Sequence, residues 1–157
     1  MSNGSAWICG VGMVTAVGGH AAQTASSVRA GISAYEESAV HNKRFEPMTM
    51  ALVPDDILPE LQADLPGIDS LTARQTRMLR LAQLALEDAL DGLPEGYDQP
   101  LPLCFVGPEP MPGRPQIVDG KFLTLFEKLT GSQFDRGSSK LSNTCLLYTS
   151  PSPRDAT

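Results

Sequence analysis

The sequence predicts an α/β protein in which a mixed sheet, at least partly parallel, is covered by helices. Short apolar runs at residues 6–9 and 101–106, each ended by glycine, read as buried strands. Segments 20–30, 72–90 and 117–129 instead carry their apolar residues at helical spacing. Strands that alternate with helices need crossovers, and crossovers favour parallel neighbours under a helical cover. The composition supplies a core. Of 157 residues, 41% are hydrophobic and 19% charged, far from the balance of a disordered chain.

Taken in order, residues 6–17 (AWICGVGMVTAV) form an apolar run followed by Gly10 and Gly12. This predicts a buried strand and then a loop that approaches another backbone closely. Residues 20–30 set Ala22, Ala25, Val28 and Arg29 at helical spacing, with Gly31 placed to end a helix. Residues 45–53 alternate weakly, and Met48, Met50 and Leu52 share one strand face. Residues 55–66 mix Asp, Leu and Pro and read as a short helix or connector.

The clearest element is a helix over 72–90. Thr72 and Gln75 have the spacing of a capping box, in which each side chain satisfies an orphan amide of the first turn. Leu81, Ala85, Met78, Ala89, Ala82, Leu86, Leu79 and Leu90 fill an arc of roughly 180°. Arg80, Gln83, Glu87 and Asp91 lie opposite, and Gly92 with Pro94 stops the helix. So wide an arc predicts deep burial. Residues 101–106 (LPLCFV) follow as a strand ended by Gly107, and 108–115 form a proline-rich loop. Residues 117–129 return to helical spacing, with Phe122, Leu125, Phe126 and Leu129 on one face and Gly131 at the end.

Charge excludes some partners. Twelve basic against 18 acidic residues leave a net −6, which argues against a nucleic-acid binder. No apolar run approaches the roughly 18 residues of a membrane span. The first residues lack the features of a signal peptide, and three cysteines cannot all pair. A cytoplasmic protein is expected.

Catalytic signatures are few. Gly10 and Gly12 begin a dinucleotide fingerprint, but Thr15 stands at the third glycine position; glycines needed for packing are the plainer reading. His20 and His41 lack metal-ligand spacing and read as surface or capping residues. The neighbouring carboxylates Glu87–Asp88 and Asp55–Asp56 read as solvated. Arg74, Arg77 and Arg80 form either a solvated face or a cluster for an anionic partner. Cys9 and Cys104, inside apolar runs, read as small hydrophobes. No catalytic, cofactor-binding or metal-ligating residue is assigned.

Residues 145–155 (CLLYTSPSPRD) coincide, when reverse-translated, with transposase-end and adapter DNA used in short-read sequencing. The expectation is that 1–144 is a partial native domain. Residues 145–157 are expected to be an adapter-derived tail with no evolved partner in the core. Cys145, which follows Ser142-Asn143-Thr144 as a nucleophile would, is the first residue of that match and is not expected to be catalytic.

Residues 10–18 (GVGMVTAVG) resemble the opening of β-ketoacyl synthases, the condensing enzymes of the thiolase-like superfamily. Residues 28–33 (VRAGIS) are similar to the end of that family's first helix and its small-residue turn. Residues 77–90 (RMLRLAQLALEDAL) resemble its long Ala-rich helix, and 103–107 (LCFVG) its next strand. The order matches over about residues 6–107. The resemblance implies a layered thiolase-like fold, of which this chain holds an incomplete N-terminal half. Part of the cover of helix 72–90 would then come from the other half, so some of Met78, Leu79, Leu86 and Leu90 are expected to lack a full shell of neighbours in this chain. It implies decarboxylative Claisen condensation of acyl thioesters in fatty acid or polyketide synthesis, with no cofactor. A helix-N-terminal cysteine and two histidines carry that chemistry in the family. None maps onto this chain, which is therefore expected to be inactive by itself. The implied partners of the intact parent are an acyl carrier protein and a second copy. The chain departs from the family at 108–115, where prolines replace a glycine-rich stretch. Two alternatives remain: a synthase-like subunit without catalysis, and a nucleotide-binding α/β module.

Overall fold

The computed structural model describes residues 7–61, 65–109, 112–113, 117–135, 137 and 139–142. Over these described residues it is a mixed α/β fold with three helices, one antiparallel strand pair and one parallel strand pair. The elements run α1 (Ala21–Arg29), β1 (Tyr35–His41), β2 (Pro47–Ala51), α2 (Ala73–Leu90), β3 (Cys104–Val106), α3 (Gly120–Thr130) and β4 (Lys140–Ser142), with one 3-10 turn at Ile68–Ser70. Two compact units emerge. One joins residues up to Glu60 with Arg80–Tyr97, and the other joins Leu61–Leu79 with residues from Asp98 onward. Helix α2 contributes to both.

In the first unit, α1 is capped at both ends by its own sequence. His20 accepts a hydrogen bond from Gln23 N at 3.3 Å through Nδ1. At the other end, Gly31 takes φ +71° and donates to Val28 O at 3.1 Å, while Ile32 N donates to Ser27 O at 2.9 Å. That pair of bonds is a Schellman ending, which the expected Gly31 provides. The expected face is wrong, however. Thr24 is buried and Ala21 and Ser27 partly so, whereas Ala22, Ala25 and Val28 are exposed. Hydroxyl bonding decides this: Thr24 Oγ1 lies 3.0 Å from Thr15 Oγ1, and Ser27 Oγ donates to Val17 O at 2.9 Å.

The expected buried strand within 6–17 is not formed over the described residues. Trp7 is 83% and Ile8 87% exposed, and among the described residues no strand pairs with 7–14. An extended segment becomes a strand only where another backbone offers a ladder. This one lies along α2 instead, with Gly10, Gly12 and Val14 partly covered and Cys9, Val11 and Met13 exposed. Cys104 is exposed as well, so neither cysteine behaves as a core hydrophobe. The expected close approach of the glycines does occur.

Strand β1 had no clear signal, because YEESAVH is polar and its burial pattern shows only Ser38 partly covered. It pairs antiparallel with β2, Tyr35 opposite Ala51 and His41 opposite Pro47, and the register slips between Glu37 and His41. The expected strand over 45–53 shortens to Pro47–Ala51, since Phe45 belongs to the turn. Met48 and Leu52 are exposed and Met50 is partly covered. Residues 55–61 form no helix; they are a connector that buries Leu58.

Helix α2 begins as its capping box predicts. Thr72 N donates to Gln75 Oε1 at 3.0 Å, and Gln75 N to Thr72 Oγ1 at 3.3 Å. Deep burial along the arc is limited to Leu79 at 2% exposure, while Met78, Leu86 and Leu90 stay partly exposed. Arg80 is not solvated as its position opposite the arc implied. Gly92 also differs in role. Its φ is not positive; glycine is required there because a Cβ would strike the backbone of Cys9 and Gly10.

In the second unit, the expected 101–106 strand contracts to β3, which pairs parallel with β4: Cys104 opposite Lys140 and Val106 opposite Ser142. With α3 between them these form a strand–helix–strand crossover, so the parallel component of the prediction stands. Among the described residues its sheet is two strands wide, and thiolase-like layering is not confirmed. Helix α3 starts later than expected. Asp119 accepts from Phe122 N at 2.8 Å and so fixes the first turn at Gly120. Gly131 ends the helix at φ +63°. Phe122, Leu125 and Phe126 are buried as predicted, with Leu129 partly so. Phe105 meets Phe122 edge-on at 5.5 Å and Phe126 at 5.7 Å, and Phe126 stacks on Phe134 at 5.9 Å. This aromatic cluster is the unit's core. Residues 110–111 and 114–115 of the proline-rich loop and all of 145–157 lie outside the described residues, so the expected unpacked tail and Cys145 do too.

Candidate functional site

The segment that carries the glycine motif is built onto α2 by one carboxylate. Asp88 Oδ2 accepts from Met13 N at 3.0 Å and from Ala21 N at 2.7 Å. It thereby joins both ends of the intervening loop to the helix. Between them, Thr15 and Gly18 bond reciprocally, N to O at 2.8 Å and 3.3 Å, closing a tight turn at Ala16-Val17. Gly10 and Gly12 make the approach to α2 close: a Cβ at Gly12 would fall on the Ala85 carbonyl, and one at Gly10 on that of Ala89. The Ala21 amide, then the Met13 amide, hold the Asp88 carboxyl below its usual range, with His20 adding a smaller effect in the same direction and desolvation opposing it.

Asp88 is the residue that sequence reasoning missed, having read Glu87–Asp88 as solvated. Glu87 is exposed and accepts from Gln83 Nε2 at 2.9 Å, but Asp88 is not an idle surface charge. Its signal was its wheel position, about 20° beyond Leu81 at the edge of the apolar arc. A carboxylate on that border can reach unpaired amides of whatever packs beside it.

This geometry bears on the nucleotide alternative. A pyrophosphate would need the amides at the start of α1. There the Asp88 carboxylate takes the Ala21 amide, His20 takes that of Gln23, and Gln23 Oε1 takes that of Gly19 at 2.9 Å. Thr15, at the third fingerprint position, is spent on Thr24.

Of the remaining candidates, His20 is a helix cap, while His41 is exposed with Nδ1 3.0 Å from Ala39 O. Arg80 separates from Arg74 and Arg77. Its guanidinium donates to Pro59 O at 2.7 Å, Leu58 O at 2.9 Å and Asp55 O at 3.0 Å, and lies 3.6 Å from the Asp55 carboxylate. It organises the connector. Asp56 is exposed. Among the described residues no three His, Cys, Asp or Glu side chains gather as a metal group would, and no helix is long and apolar enough to cross a membrane.

In the second unit a cleft of about 280 Å³ is lined by Leu103, Leu123, Thr124, Phe134, Ser139 and Lys140, among others. It opens at the N-terminal ends of β3 and β4, whereas ligands of parallel sheets gather at the C-terminal ends. Its hydroxyls are already committed: Ser139 Oγ donates to Asp135 O at 2.6 Å, and Thr124 Oγ1 to Gly120 O at 2.9 Å. The chemistry that these arrangements perform is positional. No protein-family model, curated protein or solved structure matches the chain.

Proposed function

We propose that this chain is the leading part of a β-ketoacyl synthase-like acyltransferase. One observation carries the reading: the glycines of the family-like opening and the Ala-rich helix are fitted to each other. Gly10 and Gly12 leave no room for a Cβ against Ala89 and Ala85, so two motifs that resemble the family separately answer one packing requirement. The reading takes the parent to be thiolase-like and layered, acting in the cytoplasm with a second copy on thioesters delivered by an acyl carrier protein. A downstream cysteine thiolate accepts the acyl group and releases the carrier thiol. A malonyl thioester then loses carbon dioxide, and its carbanion attacks the acyl-cysteine carbonyl; the new carbon–carbon bond forms as the carbon–sulfur bond to the cysteine breaks and the thiolate is released. In this chain, residues 7–21 and α2 supply scaffold.

Recovering the genomic reading frame beyond codon 144 tests this. The expected frame continues into a cysteine at a helix start and two later histidines. A frame that retains the fold's motifs but lacks those three residues would replace the proposal with the non-catalytic subunit.

A further inference from the structure

Two side chains hold the start of α1, and they lose their acceptors in different ranges of pH. Asp88 accepts from the Ala21 amide at 2.7 Å. Two residues on, the Gln23 amide donates at 3.3 Å to Nδ1 of His20, the N-cap residue, and Gln23 Oε1 accepts in return from Gly19 N at 2.9 Å. The arrangement is a capping box built around an imidazole. Serine, threonine, aspartate and asparagine are the usual N-caps, and their oxygens go on accepting throughout the neutral range. A ring nitrogen accepts only while it carries no proton, and histidine is the side chain whose ordinary change of charge falls between pH 5 and 8. The bond to Gln23 N therefore calls for the neutral ring with its proton on Nε2.

A second partner stands beside the ring. Asp88 of α2 is bonded to the amide of the very next residue, and the two side chains are near enough for His20 to help hold the Asp88 carboxyl low. Both amides that Asp88 holds fall on Oδ2, so Oδ1 is left to take a further donor. The other neighbours carry no competing charge. Residues 13–18 and 21–24 contain no ionisable side chain, and the connector brings the apolar Ile57 towards Gly19. The glycine loop rests on this turn. Thr24, which is buried, donates through N to His20 O at 3.0 Å and through Oγ1 to Gly18 O at 3.4 Å. A Cβ at Gly18 would come within 2.6 Å of Thr24 N.

We propose that the start of α1 is a pH-operated latch on the glycine loop. Neutral His20 caps the Gln23 amide and closes the first turn under Gly18. A proton taken from solvent onto Nδ1 ends that bond, turns the imidazolium to Asp88, and leaves the Gln23 amide to water, which loosens the seat of the Thr15–Gly18 turn. This is independent of the proposed acyltransferase. Nuclear magnetic resonance on the 15N-labelled 157-residue chain between pH 8 and 5 tests it. The chain has two histidines, so His41 serves as the internal reference. At pH 8 the His20 ring is expected as the Nε2–H tautomer. On acidification the Gln23 amide shift should follow the His20 ring with one midpoint, and its protection from exchange, corrected for the intrinsic rate, should fall about fivefold. His20→Asn, a cap that does not titrate, should keep the Gln23 amide protected across the range. Asp88→Asn should move the His20 midpoint to lower pH and leave that of His41 in place. An Nδ1–H tautomer at pH 8, a Gln23 amide indifferent to the ring's titration, the wild-type pH response in His20→Asn, or an unmoved His20 midpoint in Asp88→Asn would each overturn the proposal.

Discussion

Replacing Gly12 with alanine puts the close approach between the 7–14 segment and α2 under direct load. The new Cβ would sit on the Ala85 carbonyl oxygen, 2.8 Å from Ala85 C and 2.9 Å from Ala89 N. Ordinary contact needs about 3.5 Å, and all three atoms are helix backbone, so no side chain can swing away. The segment must withdraw by about 1 Å or more, which also strains the 3.0 Å bond from Met13 N to Asp88. Overpacking against fixed atoms costs about 3 kcal/mol. Reduced freedom of the unfolded chain returns about 0.5–1 kcal/mol. The net loss is about 2 kcal/mol, a fall in Tm of about 4–8 °C for a chain of this length. Gly31→Ala separates the two roles of glycine: φ there is +71° with nothing within 4 Å, so only about 1 kcal/mol of conformational strain is expected. Urea titration and thermal melts of both variants measure the difference. Adding Ala85→Gly should not rescue Gly12→Ala, because the obstruction is a carbonyl and not the alanine methyl. Wild-type stability in Gly12→Ala, or rescue by the second glycine, would refute this account of the junction.

Asp88→Asn should matter most near neutral pH and least in acid. A folded-state pKa below the unfolded value makes the carboxylate stabilising above the unfolded pKa, and that contribution disappears as pH falls through the folded value. Urea midpoints of wild type and variant should therefore converge as pH drops below about 4; a constant gap would contradict the assignment. Arg80→Ala should cost about 1–2 kcal/mol through the loss of three carbonyl contacts, and Arg80→Lys should recover only part, since an ammonium cannot reproduce the planar fork. Proteolysis at residues 55–60 reports the loosened connector in both. Phe122→Ala, at a side chain with 0% exposure, should cost about 3–5 kcal/mol and abolish cooperative melting of the second unit by near-ultraviolet dichroism.

What the sequence made legible was local. The Thr72/Gln75 box, the Gly31 ending and the Phe122–Phe126 face each rest on contacts within a few residues, and each formed as read. The failures are of pairing. Residues 7–14 have the composition of a strand, but composition does not supply a neighbouring ladder, and the segment settled on a helix. Strand β1 is the converse: polar residues became a strand because the Asn42 turn returns the chain beside it. Gly92 illustrates the same limit. It was read as a helix stop from its position, while its requirement comes from Cys9, more than eighty residues away. Asp88 escaped notice because a carboxylate's role depends on which amides approach it, and the Met13 and Ala21 amides approach only once the loop is folded.

The most direct measurement of the central claim is carbon dioxide release from a carboxyl-labelled malonyl thioester by protein expressed from the recovered full reading frame, with an acyl thioester on acyl carrier protein as co-substrate. The account predicts acyl-dependent release with stoichiometric formation of a 3-oxoacyl thioester, abolished when the downstream cysteine is replaced by alanine. A folded full-length protein that neither becomes acylated nor releases carbon dioxide across a range of acyl chain lengths would contradict it.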